Sequence, residues 1–198
     1  MRIAIVPGNG CDNIAKSNWY SWLAERLVAS NRFSEVACQT MPDPHAAKRK
    51  IWLPFMLSTL GCADPSTIVV GHSSGAVAAL RLLEDNKLAG AVLVSSCHTD
   101  LGDAGEQAAG YYPPKGGNWK WPNIRDNAGG NIVVLHSDND PFILIAEAQF
   151  VADSLHVPLH VKPGRSHFFS PGEDIYEACM QAADAAEAAA AGSSSAQT

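Results

Sequence analysis

The reading of the chain turns on residues 67–76, Thr67-Ile68-Val69-Val70-Gly71-His72-Ser73-Ser74-Gly75-Ala76. Ile68-Val69-Val70 is a short apolar run of the kind that forms a buried parallel strand. It ends in Gly71-His72-Ser73-Ser74-Gly75, a G-x-S-x-G pattern. Ala76, Ala78 and Ala79 then open a helix-compatible stretch that runs to about Asp85. In this pattern a strand turns sharply into a helix and lifts the central serine to the apex on strained backbone. Glycines two residues to either side let the helix start close against the strand. Ser73 is therefore the candidate nucleophile, and the N–H of Ser74 points where an oxyanion would form. An ordinary glycine-rich turn also fits these five residues taken alone, so the rest of the chain has to decide.

Working outward toward the N-terminus, Ile3 to Val6 reads as a first strand ending in the tight loop Pro7-Gly8-Asn9-Gly10. Asn18 is placed to cap a helix from Trp19 to about Ser30, with Trp19, Trp22, Leu23 and Leu27 at helical spacing. Glu35 to Thr40 is a short second strand. After the break at Pro42-Asp43-Pro44, a helix from about His45 carries Ile51, Trp52, Phe55 and Met56 on its apolar face. Pro54 inside it predicts a kink or an early end.

Toward the C-terminus, Ala91 to Ser95 is a fourth strand and Ile132 to Leu135 a fifth. A helix from about Ile143 to Leu155 follows, then a sixth strand, Leu159 to Val161, and a last helix from near Pro171 to about Ala191. Residues 193–198 read as a disordered tail after a single domain spanning 1–192. Between Cys97 and Gly130 the pattern dissolves into glycine and proline, with Tyr111, Tyr112, Trp119 and Trp121 among them. A long irregular connection in a compact domain is usually a functional loop or lid. Strands alternating with helices imply an α/β fold: a six-stranded parallel sheet with helices on both faces. The motif suggests the strand order 2-1-3-4-5-6. That order sets the loops after strands 1 and 3 side by side, with Gly8-Asn9-Gly10 next to Ser73, at the carboxyl edge where such sheets build their sites.

A serine hydroxyl needs a base within hydrogen-bond reach, and the base needs an acid to orient it. The chain order that goes with this motif is Ser, then Asp or Glu, then His. His136-Ser137-Asp138-Asn139-Asp140-Pro141 follows strand 5, and Gly164-Arg165-Ser166-His167-Phe168 follows strand 6. His167 is the candidate base. Asp138 and Asp140 both qualify as the acid. Asp140 is preferred because Pro141 biases it toward extended, loop-suited backbone. His72 must point away from Ser73 and reads as a packing or supporting residue, and His136 as a satisfied core histidine. His45, His98, His156 and His160 have no partner pattern. The second oxyanion donor is expected from the loop after strand 1, at Asn9, with Gly10 as the alternative.

Composition narrows the function classes. The 198 residues are 46% hydrophobic and 17% charged, with a net charge of −6. Lys48-Arg49-Lys50 is the largest basic cluster, so the footprint of a nucleic-acid binder is missing. Five widely spaced cysteines without C-x-x-C favour reduced thiols over disulfides or a zinc site, and no H-E-x-x-H is present. Gly8-x-Gly10 begins a dinucleotide fingerprint, but Asn13 stands where its third glycine belongs. No cofactor or metal is expected. Met1-Arg2-Ile3-Ala4-Ile5-Val6-Pro7 is too short and too soon broken for a signal peptide, and no apolar run approaches a membrane span. The expectation is a cytoplasmic protein.

Several segments together resemble one family. They are Val6-Pro7-Gly8-Asn9-Gly10, Met41-Pro42-Asp43-Pro44, Ile51-Trp52-Leu53-Pro54-Phe55-Met56, Gly71-His72-Ser73-Ser74-Gly75-Ala76, Asp100-Leu101-Gly102-Asp103 and Asp140-Pro141-Phe142. In these the chain is similar to the retinoblastoma-binding protein 9 serine hydrolases, a small branch of the α/β-hydrolase fold. The resemblance spans nearly the whole chain and treats Pro54 as a family feature. It implies a minimal sheet without the two antiparallel strands of larger relatives, and a triad of Ser73, Asp140 and His167. The motif, the loops and the resemblance together lead to the expectation of a serine hydrolase that cleaves small carboxylic esters or amides through an acyl-enzyme, with Asn9 and Ser74 as the oxyanion hole. The alternative is a non-catalytic interaction module on the same fold. The L-x-C-x-E peptide behind the family's name is here Leu60-Gly61-Cys62-Ala63-Asp64, so binding to the retinoblastoma protein is not carried over.

Overall fold

The structure is a computed structural model that describes residues 1–195. Six parallel strands form one sheet: β1 (Arg2–Val6), β2 (Glu35–Cys38), β3 (Thr67–His72), β4 (Gly90–Val94), β5 (Ile132–Ser137) and β6 (Leu159–Lys162). Their order is β2-β1-β3-β4-β5-β6, as the motif suggested. The four inner strands are apolar almost throughout because both faces of the sheet are covered.

Period-two alternation divides the inner strands between two cores. Ala4, Val6, Val69, Leu93 and Val134 face one way, toward α2 (Arg49–Ser58), α3 (Ser74–Leu83), α5 (Trp121–Asn127) and α6 (Ile145–Leu155). Ile3, Ile5, Ile68, Val70, Val92, Val94, Val133 and Leu135 face the other way, toward α1 (Tyr20–Ala29) and α7 (Glu173–Ser195). All ten residues of α3 are buried, which its small residues Gly75, Ala76, Ala78 and Ala79 permit.

Register places the site. Val6 pairs with Gly71, so Pro7-Gly8 emerges beside His72-Ser73. His72 pairs with Val94, and the Ser73 N–H donates to the Val94 carbonyl at 2.9 Å. Ser137 pairs with Lys162, which brings the loops after β5 and β6 together.

Four expectations need correction. Asn18 does not cap α1: it sits at φ 47°, Trp19 takes the cap position, and the Asn18 amide donates instead to the Tyr20 hydroxyl. The helix expected from His45 begins at Arg49, because Ala47 at φ 45° cannot belong to a right-handed helix. It continues past Pro54, which lies on its exposed side, to Ser58. The irregular stretch 97–130 contains two short helices, α4 (Ala104–Ala109) and α5. Asp103 caps α4 by accepting the Glu106 N–H at 2.9 Å, and Pro122 stands in the first turn of α5, where a missing N–H costs nothing. Finally, α7 runs on to Ser195, so the first three residues of the expected tail are helical. Residues 196–198 lie outside the described residues.

Candidate active site

At the carboxyl edge of the sheet a cavity of about 630 Å³ opens, lined among others by Asn9, Ser73, Ser74, Glu106, Tyr112 and His167. Ser73 caps α3 with φ 54° and ψ −122°, a conformation that costs a non-glycine residue about 1–3 kcal/mol. The flanking glycines explain why this strained turn closes. A Cβ on Gly75 would run into the backbone carbonyls of Val6 and Pro7, and one on Gly71 would run into Ala76 and the Gly75 carbonyl. Both are therefore required by close backbone approach.

His167 and Asp140 are brought together. Nδ1 of His167 lies 2.8 Å from Oδ2 of Asp140, and both side chains are buried, at 8% and 1% exposed. A carboxylate only accepts, so Nδ1 carries the proton and Nε2 is left as the basic nitrogen. Burial alone would raise the Asp140 carboxyl. The bond from His167 and the N–H groups of Phe142 and Ile143 outweigh it and hold Asp140 down at about 2. The Ser73 hydroxyl makes no hydrogen bond to His167 among the described residues. Such bonds commonly tighten only when substrate is bound.

Asp138 and Asp140 stand differently in three successive ties across the β5 and β6 loops. Asp138 Oδ1 accepts the Gly164 N–H at 2.8 Å, Asn139 Oδ1 accepts the Ser166 N–H at 2.8 Å, and only Asp140 reaches the His167 ring. Asp138 thus braces the loop that Asp140 serves. His136 is buried, and its Nε2 donates to the Ile143 carbonyl at 3.0 Å, which anchors the chain just past Asp140. Phe168, at φ 51°, plugs the second core and fixes the backbone beside His167.

The N–H groups of Asn9 and Ser74 have no acceptor among the described residues and stand beside Ser73. The Gly10 N–H, by contrast, is taken by the Pro44 carbonyl at 2.8 Å.

Four contributors were not visible beforehand. Ser95 Oγ donates to Asp140 Oδ2 at 2.9 Å; its place at the end of β4 was the available signal. Glu106 lies in the long β4–β5 connection, in the first turn of α4. Its Oε1 accepts from Asn9 Nδ2 at 3.2 Å and Ser74 Oγ at 3.4 Å, and its Oε2 accepts from the Tyr112 hydroxyl at 3.0 Å. Burial raises its carboxyl above the ordinary range despite the bonds from Tyr112 and Ser74. Phe142 and Phe169 flank the His167 ring with centroids at 5.1 and 5.5 Å, and both are largely exposed at the cavity mouth.

Residues 3–172 match the family model described as serine hydrolase. The chain is 41% identical to the serine hydrolase RBBP9 of Rattus norvegicus over 167 residues, covering 84% of this chain and 87% of that one. The crystal structure of the ydeN gene product of Bacillus subtilis superposes with a TM-score of 0.78 at 21% identity. It covers 92% of this chain and 98% of that one, and this second likeness concerns the fold.

Proposed function

From the premise that the chain belongs to the serine hydrolase family, and so is an enzyme of that kind, we propose that Ser73, His167 and Asp140 are its catalytic triad and that it cleaves small carboxylic esters or amides. The observation that carries this reading is the buried His167–Asp140 pair on the same cavity as a serine held at positive φ. Ser73 Oγ attacks the carbonyl carbon while His167 Nε2 takes its proton. Asp140 keeps the other ring proton on Nδ1 and stabilises the imidazolium that forms. The N–H groups of Asn9 and Ser74 receive the tetrahedral oxyanion; one such donor is typically worth ~3–4 kcal/mol of transition-state stabilisation. His167 returns the proton to the leaving group, and water repeats the cycle on the acyl-enzyme.

The cavity is apolar at its mouth, where Leu101, Phe142 and Phe169 stand exposed, and polar on its floor at Glu106 and Tyr112. It suits an acyl compound with an apolar group near His167. Five unpaired cysteines support residence in a reducing compartment, the cytoplasm. Binding to the retinoblastoma protein through residues 60–64 is not part of the proposal, since Leu60 and Cys62 are buried in the first core. The test is hydrolysis of a panel of p-nitrophenyl acyl esters and aminoacyl amides by wild type and Ser73→Ala. Turnover by wild type that disappears in the variant supports the reading; turnover that survives in Ser73→Ala refutes it.

A further inference from the structure

The His72 imidazole has no part in the steps above, yet it is buried between two of the loops they depend on. It ends β3 at 1% exposure, one residue before the nucleophile. Nε2 lies 2.9 Å from the His167 carbonyl oxygen, and Nδ1 lies 2.7 Å from the Tyr20 hydroxyl. The same hydroxyl is 3.0 Å from the Gly8 nitrogen and 3.1 Å from Asn18 Nδ2.

Every bond in this chain has a forced direction. A carbonyl oxygen only accepts, so Nε2 of His72 carries the proton. Burial, helped by the neighbouring His167, pushes the His72 pKa down to about 3, so the ring is neutral and Nδ1 is bare. Tyr20 therefore donates its O–H to Nδ1. Burial also lifts the phenol to about 12, which keeps that proton in place. The two lone pairs of the phenol oxygen accept from Gly8 and Asn18, so every donor and acceptor of the His72 ring and the Tyr20 hydroxyl is used.

We propose that Tyr20 and His72 are positioning residues that tie the oxyanion loop at Gly8–Asn9 to the loop carrying His167, so that oxyanion donor and base keep one separation across Ser73. The inference rests on the triad reading above. Gly8 is the link at one end. A Cβ there would lie 3.2 Å from Ser73 Cβ, so the Gly8 backbone packs directly on the nucleophile, one residue before the Asn9 N–H. At the other end, the His167 carbonyl is fixed from behind while its ring is fixed by Asp140. The Trp19 and His167 rings enclose His72, with centroids at 5.5 and 4.9 Å, and Trp19 and Tyr20 are fully buried. Tyr20 and His72 are thus shielded from water, and small displacements of either loop are opposed by the bonds these two side chains make.

The test compares kcat and KM for p-nitrophenyl acetate in wild type, Ser73→Ala, Tyr20→Phe, His72→Leu and His72→Gln. Tyr20→Phe and His72→Leu should lower kcat about 10- to 100-fold, the cost of a misplaced reacting group, with KM within about threefold. His72→Gln, whose amide can donate to the His167 carbonyl and accept from Tyr20, should recover most of the loss. A Tyr20→Phe kcat within about twofold of wild type, or equal kcat for the Leu and Gln variants, overturns the proposal. Should the variants fail to fold, long-range proton–nitrogen spectra of wild type decide. His72 should hold the Nε2–H tautomer unchanged between about pH 5 and 9, whereas a titrating ring or a proton on Nδ1 overturns it. Activity that survives Ser73→Ala brings down the triad reading and this inference together. An inactive Ser73→Ala beside an unimpaired Tyr20→Phe brings down this inference alone.

Discussion

The cavity at Ser73 has two walls built in different ways. One consists of the loops at the ends of β1, β3, β5 and β6, and its shape is set by backbone. Glycines admit close approach at 71 and 75, strand register aligns Gly8 with Ser73, and N–H groups bind Asp138, Asn139 and Asp140. The other wall is the connection from β4 to β5, residues 95–131, and long side chains hold it in place. Arg81, buried in α3, donates to the carbonyls of Tyr111 and Gly117 at 2.7 Å each, pairs with Glu84 at 2.6 Å, and stacks 3.7 Å over the Trp119 ring. Glu147 on α6 accepts the N–H groups of His98 and Thr99 at 2.9 and 3.1 Å. A wall held by backbone geometry has no room for a side chain at Gly71 or Gly75. A wall held by a few charged side chains stands or falls with those side chains.

The largest expected effect separates the chemistry of the first wall from its stability. Asp140→Asn keeps the volume but inverts the donor–acceptor match with His167, so kcat should fall about 10⁴-fold while the melting temperature drops by only a few degrees, the share of stability carried by the ionised carboxylate. Steady-state kinetics alongside calorimetry checks both halves. The second wall should show the reverse. Arg81→Met takes from the buried Glu84 its nearest cation, leaving Arg49 at 3.8 Å, and leaves several carbonyls unbonded, at a cost of about 3–5 kcal/mol in urea unfolding. If that variant unfolds with the wild-type midpoint, the connection is held by something other than Arg81.

Two smaller effects sharpen the comparison. Asp138→Ala removes one N–H acceptor from an exposed side chain and should cost about 1 kcal/mol, with kcat changed far less than in Asp140→Asn. Equal kinetic losses for the two aspartates would mean that the acid has been misassigned. Glu106 gives a pH signature. A carboxyl raised on folding stabilises the protein while protonated, and that contribution is lost as pH rises through its folded value. Glu106→Gln should therefore melt higher than wild type at neutral pH, by about 1–4 °C, and the difference should close below about pH 4. A Glu106→Gln melting temperature below wild type across that range contradicts the assignment of burial as the dominant influence on this carboxyl.

The same division explains what could be read from residues alone. Backbone-encoded features left local marks: apolar runs for the inner strands, glycines at 71 and 75, and Asp140 and His167 each placed just after a strand in the expected chain order. From those marks the sheet order and the site candidates followed. The long connection left no such mark. Its helices α4 and α5 are only six and seven residues long, and their place is set by Arg81 and Glu147 from elsewhere in the chain. Ser95 and Tyr20 were missed for the same reason, since each acts on a partner at least 45 residues away, on Asp140 and His72 respectively. Asn18 misled because its side chain prefers the Tyr20 hydroxyl to the helix end.

The account depends above all on Ser73 being the reactive hydroxyl at the strand-to-helix apex. Treatment of the purified protein with a fluorophosphonate, followed by peptide mass spectrometry, measures this directly. The account predicts a single adduct on the peptide bearing Ser73, absent from Ser73→Ala. A folded wild-type protein that takes up no label, or takes it up on another serine, contradicts it.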